Sequence, residues 1–204
     1  MEVIREALKD GYTDTHLYAD PKFNADQMQE IVWGLDSLKI EQIKVYADPK
    51  FNHHQMAEIR SGLEYGLPIK KVQIYADPKC DYQQMSEIRI GLKKLSIERV
   101  KLYAATCYDH KQMRQIREGF QHSDLNMRQV KVYADPRFDH NQMEEIRFGF
   151  ENGLTFERIK EKIEVLRKIR SEKELKTKFP FLYESCFIPN RNLALNDKLP
   201  MFVF

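Results

Sequence analysis

The chain has little cysteine, little glycine, a single tryptophan and almost no net charge. Its three cysteines, Cys80, Cys107 and Cys186, form an odd set with no close pair, which suits neither a disulfide framework nor a zinc site. Reduced thiols and a cytoplasmic location are expected. No stretch reaches the roughly 18 apolar residues needed to span a bilayer. The opening Met1-Glu2-Val3-Ile4-Arg5-Glu6 has no basic segment followed by an apolar one, so neither export nor a membrane partner is expected. With 33 basic side chains against 31 acidic ones, no global field points to nucleic acid or to an anionic surface. A glycine-rich phosphate loop, a nucleophile elbow, an HExxH helix and paired catalytic carboxylates are all missing. An enzymatic role, a cofactor and a metal are therefore not expected.

What the sequence does have is repetition. The phrase Tyr18-Ala19-Asp20-Pro21-Lys22-Phe23 returns at Tyr46, Tyr75, Tyr103 and Tyr133, spaced 28, 29, 28 and 30 residues apart. Residues 1–17 match the middle of the same unit as a half repeat. Asn24-x-x-Gln27, Asn52-x-x-Gln55, Asp81-x-x-Gln84, Asp109-x-x-Gln112 and Asp139-x-x-Gln142 have capping-box spacing, which predicts a helix start at each. Apolar residues then follow at helical spacing, as in Met56, Ile59 and Leu63, and glycines such as Gly66 and Gly153 stop the helix. The second segment of each unit, as in Ile69 to Ala76, also alternates like a strand. It is read as a second helix because its last counterpart runs from Thr155 through Ile159, Ile163 and Leu166 without a breaker.

The expected fold is thus all-α, a short solenoid of about five two-helix repeats over 1–154. A long, basic C-terminal helix over 155–177 is expected to cap it. The segment 178–204 is an apolar, aromatic tail that either folds back or docks on a partner.

The phrase YADPKFNxxQMxEIRxGL resembles a helical tandem repeat of uncharacterised proteins from phages, plasmids and other mobile elements of Gram-positive bacteria, over roughly residues 4–160. The resemblance implies no activity and no catalytic residue. It does imply a setting where inhibitors of host defence, anti-CRISPR proteins among them, are common. Ala105-Thr106-Cys107 departs from the phrase in the fourth repeat, where a looser turn is expected, and Val32 stands where other repeats have arginine.

The recurring side chains have mostly structural readings. The glutamines are explained by capping, and Met28, Met56, Met85, Met113 and Met143 by the core stripe. Arg60, Arg89, Arg117 and Arg147 sit mid-helix and need carboxylates; Asp48, Asp77 and Asp135 of the turns are the expected partners in a ladder between repeats.

Two sets of residues are candidates for contact. His53, His54, Tyr82, His110, Lys111 and His140 fall in the first helical turns and form a variable edge for a protein partner. Equivalent positions of stacked helices lie about 8–10 Å apart, too far to share a zinc ion at ~2 Å per bond. Lys22, Lys50, Lys79 and Arg137 precede helix N-termini, and together with Arg158, Lys162, Arg167 and Lys168 of the last helix they could follow a nucleic-acid backbone. Glu58 to Leu67 followed by Val72 also comes near helix-turn-helix spacing. A protein-binding repeat scaffold is the leading expectation, with nucleic-acid binding as the alternative; the partner's identity and the oligomeric state are not written in the residues.

Overall fold

Each Asn/Asp-x-x-Gln pair does start a helix, because two backbone N–H groups that would otherwise be orphaned are satisfied reciprocally. The Asn52 side chain accepts from the Gln55 N–H at 3.0 Å, and the Gln55 side chain accepts from the Asn52 N–H at 2.8 Å. The same double bond heads all five long helices: α3 (Ala25–Leu35), α5 (His53–Glu64), α7 (Tyr82–Lys94), α9 (His110–Gln121) and α11 (His140–Glu151). Gly66 and Gly153, with φ of +81° and +75°, take the left-handed conformation that ends α5 and α11.

The computed structural model describes residues 2–178, whose regular secondary structure is helix alone, with no strand among them. The second segments are helices, as expected, but short ones: α4 (Ile40–Ile43), α6 (Ile69–Val72), α8 (Ile97–Lys101) and α10 (Met127–Tyr133). Their lengths run in step with their N-caps. Pro68 gives α6 no side-chain cap and Lys39 gives α4 only a Gln42 acceptor, and each has four residues. Ser96 caps α8, which reaches five, while a full Asn126/Gln129 box carries α10 to seven. Asn126→Ala is expected to cost about 1 kcal/mol and to shorten α10, read as a fall in the urea midpoint with a small loss of helical circular dichroism.

Ahead of these lie α1 (Glu2–Lys9) and α2 (Thr15–Tyr18); behind them runs α12 (Phe156–Lys178). The Thr155 hydroxyl accepts from the Arg158 N–H at the start of α12. The chain divides into two compact units, one ending at Leu154 and the other beginning at Thr155. The segment 179–204, with Cys186 and most of the aromatic tail, lies outside the described residues. No described helix is long and apolar enough to cross a membrane.

Within the first unit α3, α5, α7, α9 and α11 pack each against the next, and each short helix packs on the long helix before it. The core between them is the recurring stripe: Met56, Ile59, Met85, Ile88, Met113 and Ile116 are fully buried. A four- or five-residue helix has no independent stability, so these elements exist because neighbours cover them.

Candidate interaction surface

Three sets of recurring side chains are consumed in holding one long helix to the next. The first is the glutamine of the capping box. With its oxygen engaged at the cap, Gln55 donates through Nε2 to the Pro78 and Cys80 carbonyls of the following turn at 3.1 and 2.6 Å. Gln27 and Gln112 do the same to Pro49 and Phe51 and to Pro136 and Phe138. Gln84 reaches the Tyr108 carbonyl at 2.6 Å in the divergent fourth turn. That turn closes at 3.2 Å between the Tyr108 N–H and the Ala105 carbonyl and lacks the aspartate that caps the others; the Tyr108 hydroxyl compensates by donating to the Ala134 carbonyl at 2.8 Å.

The second set is an ionic ladder, and its carboxylates are not those expected. Arg60, Arg89 and Arg117 donate to Glu30, Glu58 and Glu87 of the preceding long helix at 3.0, 2.7 and 2.7 Å. Asp48, Asp77 and Asp135 instead accept backbone N–H groups two residues on, closing their own turns as Asx caps. A turn aspartate is too short to leave its Asx turn and reach a mid-helix guanidinium, whereas a glutamate one ridge away on the stacked helix faces it. Arg147 meets Gln115 at the same ladder position, and Glu151, Glu144 and Glu118 supply the charge.

The third set joins tyrosine to glycine. Tyr46, Tyr75, Tyr103 and Tyr133, all fully buried, end the short segments and turn their hydroxyls onto Gly34, Gly62, Gly91 and Gly119. Each donates a long hydrogen bond, 3.3 to 3.5 Å, to the carbonyl four residues before that glycine. In the half repeat Ala7 replaces the glycine, and there the Tyr18 hydroxyl donates to the Tyr12 carbonyl at 2.7 Å instead.

Burial pushes these four phenols well above the usual tyrosine range, against a smaller downward pull from the neighbouring arginines. A phenol whose pKa is raised by folding contributes stability that is complete below its unfolded value near ~10 and is lost as pH rises beyond it. Phenolate absorbance is therefore expected to rise in two stages on alkaline titration. These four belong to the later stage and ionise together with loss of helical circular dichroism.

The positions not used in these joints point outward. His53, His54, Tyr82, His110, Lys111 and His140 occupy the first two positions of α5, α7, α9 and α11. The structure brings three of them together: the His53 and His54 rings are 3.9 Å apart, and His54 reaches Tyr82 of the next helix at 5.0 Å. His110, Lys111 and His140 lie further along the same row. Among the described residues no group of three or more His, Cys, Asp or Glu could hold a metal. Cys80 is buried and Cys107 exposed, both unpaired.

Lys22, Lys50, Lys79 and Arg137 are exposed in the turns, each two residues beyond an aspartate or its equivalent. Arg137 is held by Asp135 in a bidentate pair, and Lys50 lies 3.9 Å from Asp48. Arg158 pairs with Glu161 at 3.0 Å on α12, which also carries Lys162, Arg167 and Lys168. The near helix-turn-helix spacing does not produce that motif, since α6, with four residues, is too short to lie in a groove as a recognition helix.

Sequence reasoning missed the most exposed aromatics. Trp33, Tyr65 and Phe148 are 48, 67 and 44% exposed, and cations sit over their rings: Arg60 at 5.6 Å, Lys93 at 3.3 Å and Arg147 at 4.6 Å. The signal was available, because Trp33 and Phe148 each precede the repeat glycine and so fall off the apolar stripe. An open groove of about 540 Å³ also lies between the segments that carry α4 and α6, lined by Lys44, Val45, Lys50, Phe51, Ile69 and Gln73 among others.

These features define an all-helical protein whose long helices are joined by three recurring bonds. No family model matches the chain, and no curated protein or solved structure matches it either.

Proposed function

We propose that the chain is a short helical solenoid that acts as a non-enzymatic, cytoplasmic protein-binding scaffold. One observation carries this reading: on the long helices the residues that recur are those buried in the joints, and those that face outward differ from repeat to repeat. The second position of the long helices reads Asp26, His54, Gln83, Lys111 and Asn141, all exposed. The position before the glycine reads Trp33, Ser61, Ile90 and Phe148 in four of the repeats, with Glu118, which pairs with Arg147, in the fourth. A nucleic-acid backbone repeats one anionic group and calls for one recurring cation, which the turns carry at Lys22, Lys50, Lys79 and Arg137 but the outward positions of the long helices do not. A protein surface repeats nothing, and suits a regular frame that displays unlike side chains. Exposed Trp33 and Tyr65 beside arginine and lysine have the composition of interface anchors. The resemblance to repeats of mobile elements extends the proposal to an inhibitor of a host defence protein, such as an anti-CRISPR.

The test is affinity purification of the tagged chain with and without nuclease, from cells carrying its natural genetic neighbours. The expected result is a stoichiometric protein partner that survives nuclease and is lost with Trp33→Ala combined with Tyr82→Ala. Recovery that requires intact nucleic acid would overturn the reading.

A further inference from the structure

Charge is divided between the two kinds of segment far more sharply than the whole-chain balance suggests. The short segments with their turns, 39–50, 68–79, 96–107 and 126–137, carry eleven lysines and arginines against five aspartates and glutamates. The long-helix segments, 24–38, 52–67, 81–95, 109–125 and 139–154, carry eight against fourteen. The basic excess is ordered. Lys44, Lys101 and Lys131 are exposed at one position of the first, third and fourth segments, two residues before the buried tyrosine, with Gln73 at that position of the second.

Aliphatic side chains accompany these cations. Ile40, Ile69, Ile97 and Met127, and one turn later Val45, Ile74, Leu102 and Val132, are only half-buried. Between the first two segments Val45 and Ile69 join Phe51, Ala76 and Pro78 in the apolar lining of the open groove, where Lys44 and Lys50 stand beside Glu41 and Asp48.

We infer that this face binds an acidic protein segment that places an aliphatic or aromatic anchor in the groove between α4 and α6. Charge complementarity selects an anionic occupant, since like charge set against the row of Lys44, Lys101 and Lys131 is costly. The apolar lining selects one with side chains to bury, worth about 25 cal/mol per Å² removed from water. Single-stranded nucleic acid fits less well, because it binds on stacking platforms. None of the large apolar side chains exposed among the described residues lies in these segments. This inference rests on the protein-binding reading above and names the chemistry of a partner segment.

The probe is a phage-displayed library of random peptides of about 16 residues. It is selected on the full chain and counter-selected on a Lys44→Glu/Lys101→Glu/Lys131→Glu variant whose thermal melt matches the parent. A triple glutamine variant replaces it if the glutamates disturb folding. The expected outcome is enrichment of peptides rich in Asp and Glu around one or more large apolar residues. A synthesised representative should lose at least about tenfold in affinity on the triple variant and keep its affinity on Trp33→Ala. Enriched peptides without an acidic excess, or with equal affinity for the triple variant, would overturn the inference. So would a mixed-sequence single-stranded oligonucleotide that binds the parent more tightly than the best peptide at physiological salt. Selection on random peptides does not depend on the natural partner. Failure here alongside Trp33-dependent capture of a protein removes this face and leaves the scaffold reading intact.

Discussion

Gly62→Ala is expected to destabilise the protein by about 2 kcal/mol, at a helix position where the same change would ordinarily stabilise it by up to ~1 kcal/mol. A methyl group at Gly62 would overlap the Tyr75 hydroxyl oxygen and lie 3.2 Å from the ring carbon that bears it. Tyr75 is fully buried at the end of its segment and cannot swing away without opening the core beneath it. Overpacking of this kind costs about 1–3 kcal/mol, which outweighs the gain in propensity. Tyr75→Phe removes the overlapping atom together with a hydrogen bond already long at 3.4 Å, so alone it should cost less than about 1 kcal/mol. The double variant should then lie close to Tyr75→Phe, with a coupling of about 2 kcal/mol in a double-mutant cycle of urea midpoints. Simple additivity of the two changes would show that the glycine is not there for the tyrosine.

The half repeat supports this joint independently. Ala7 stands where the later repeats have glycine, and there alone the tyrosine hydroxyl is directed elsewhere, from Tyr18 to the Tyr12 carbonyl. The ladder shows a matching change at the same joint. Val32 of α3 replaces the arginine, and the corresponding acceptor position of α1 is Val3 rather than glutamate. Both ends of the missing ion pair are apolar, which leaves no unpaired buried charge.

Most of the helical content could be read from the residues, because capping boxes and apolar spacing are local. Asn52 and Gln55 specify a helix start within four residues, whatever the rest of the chain does. The joints were less legible, since they pair residues 16 to 32 positions apart and a period alone does not say which of several recurring groups meet. Arg89 had both Asp77 and Glu58 as recurring carboxylates; only the lateral packing of α5 on α7 selects Glu58. The glutamines show the same limit, because capping accounts for the Gln55 oxygen and leaves its amide nitrogen unassigned. The outward aromatics were overlooked for another reason. Trp33 lies beside the apolar stripe in sequence, and its exposure follows from helical phase rather than from its hydrophobicity.

Gln55→Glu separates the two tasks of the capping glutamine. The substitution is nearly isosteric and keeps an acceptor for the Asn52 N–H, so the cap should survive. It removes the donor, however, and directs a carboxylate oxygen at the Pro78 and Cys80 carbonyls, which the amide now meets at 3.1 and 2.6 Å. Near neutral pH the variant should lose about 3 kcal/mol, the cost of unpaired buried acceptors with an added anion between them. Lowering the pH should return much of that loss. A carboxyl surrounded by acceptors is favoured in its protonated form, so its folded pKa is raised above the unfolded value of about 4.3. Its stabilising bonds are complete below that unfolded value and disappear as pH rises through the folded one. The gap in urea midpoint between variant and parent is thus expected to narrow from pH 7 toward pH 4, while Gln55→Ala, which cannot donate at any pH, should show a constant gap. A Gln55→Glu gap that does not change with pH would mean that the joint between α5 and the next turn is held by shape and that the amide bond contributes little.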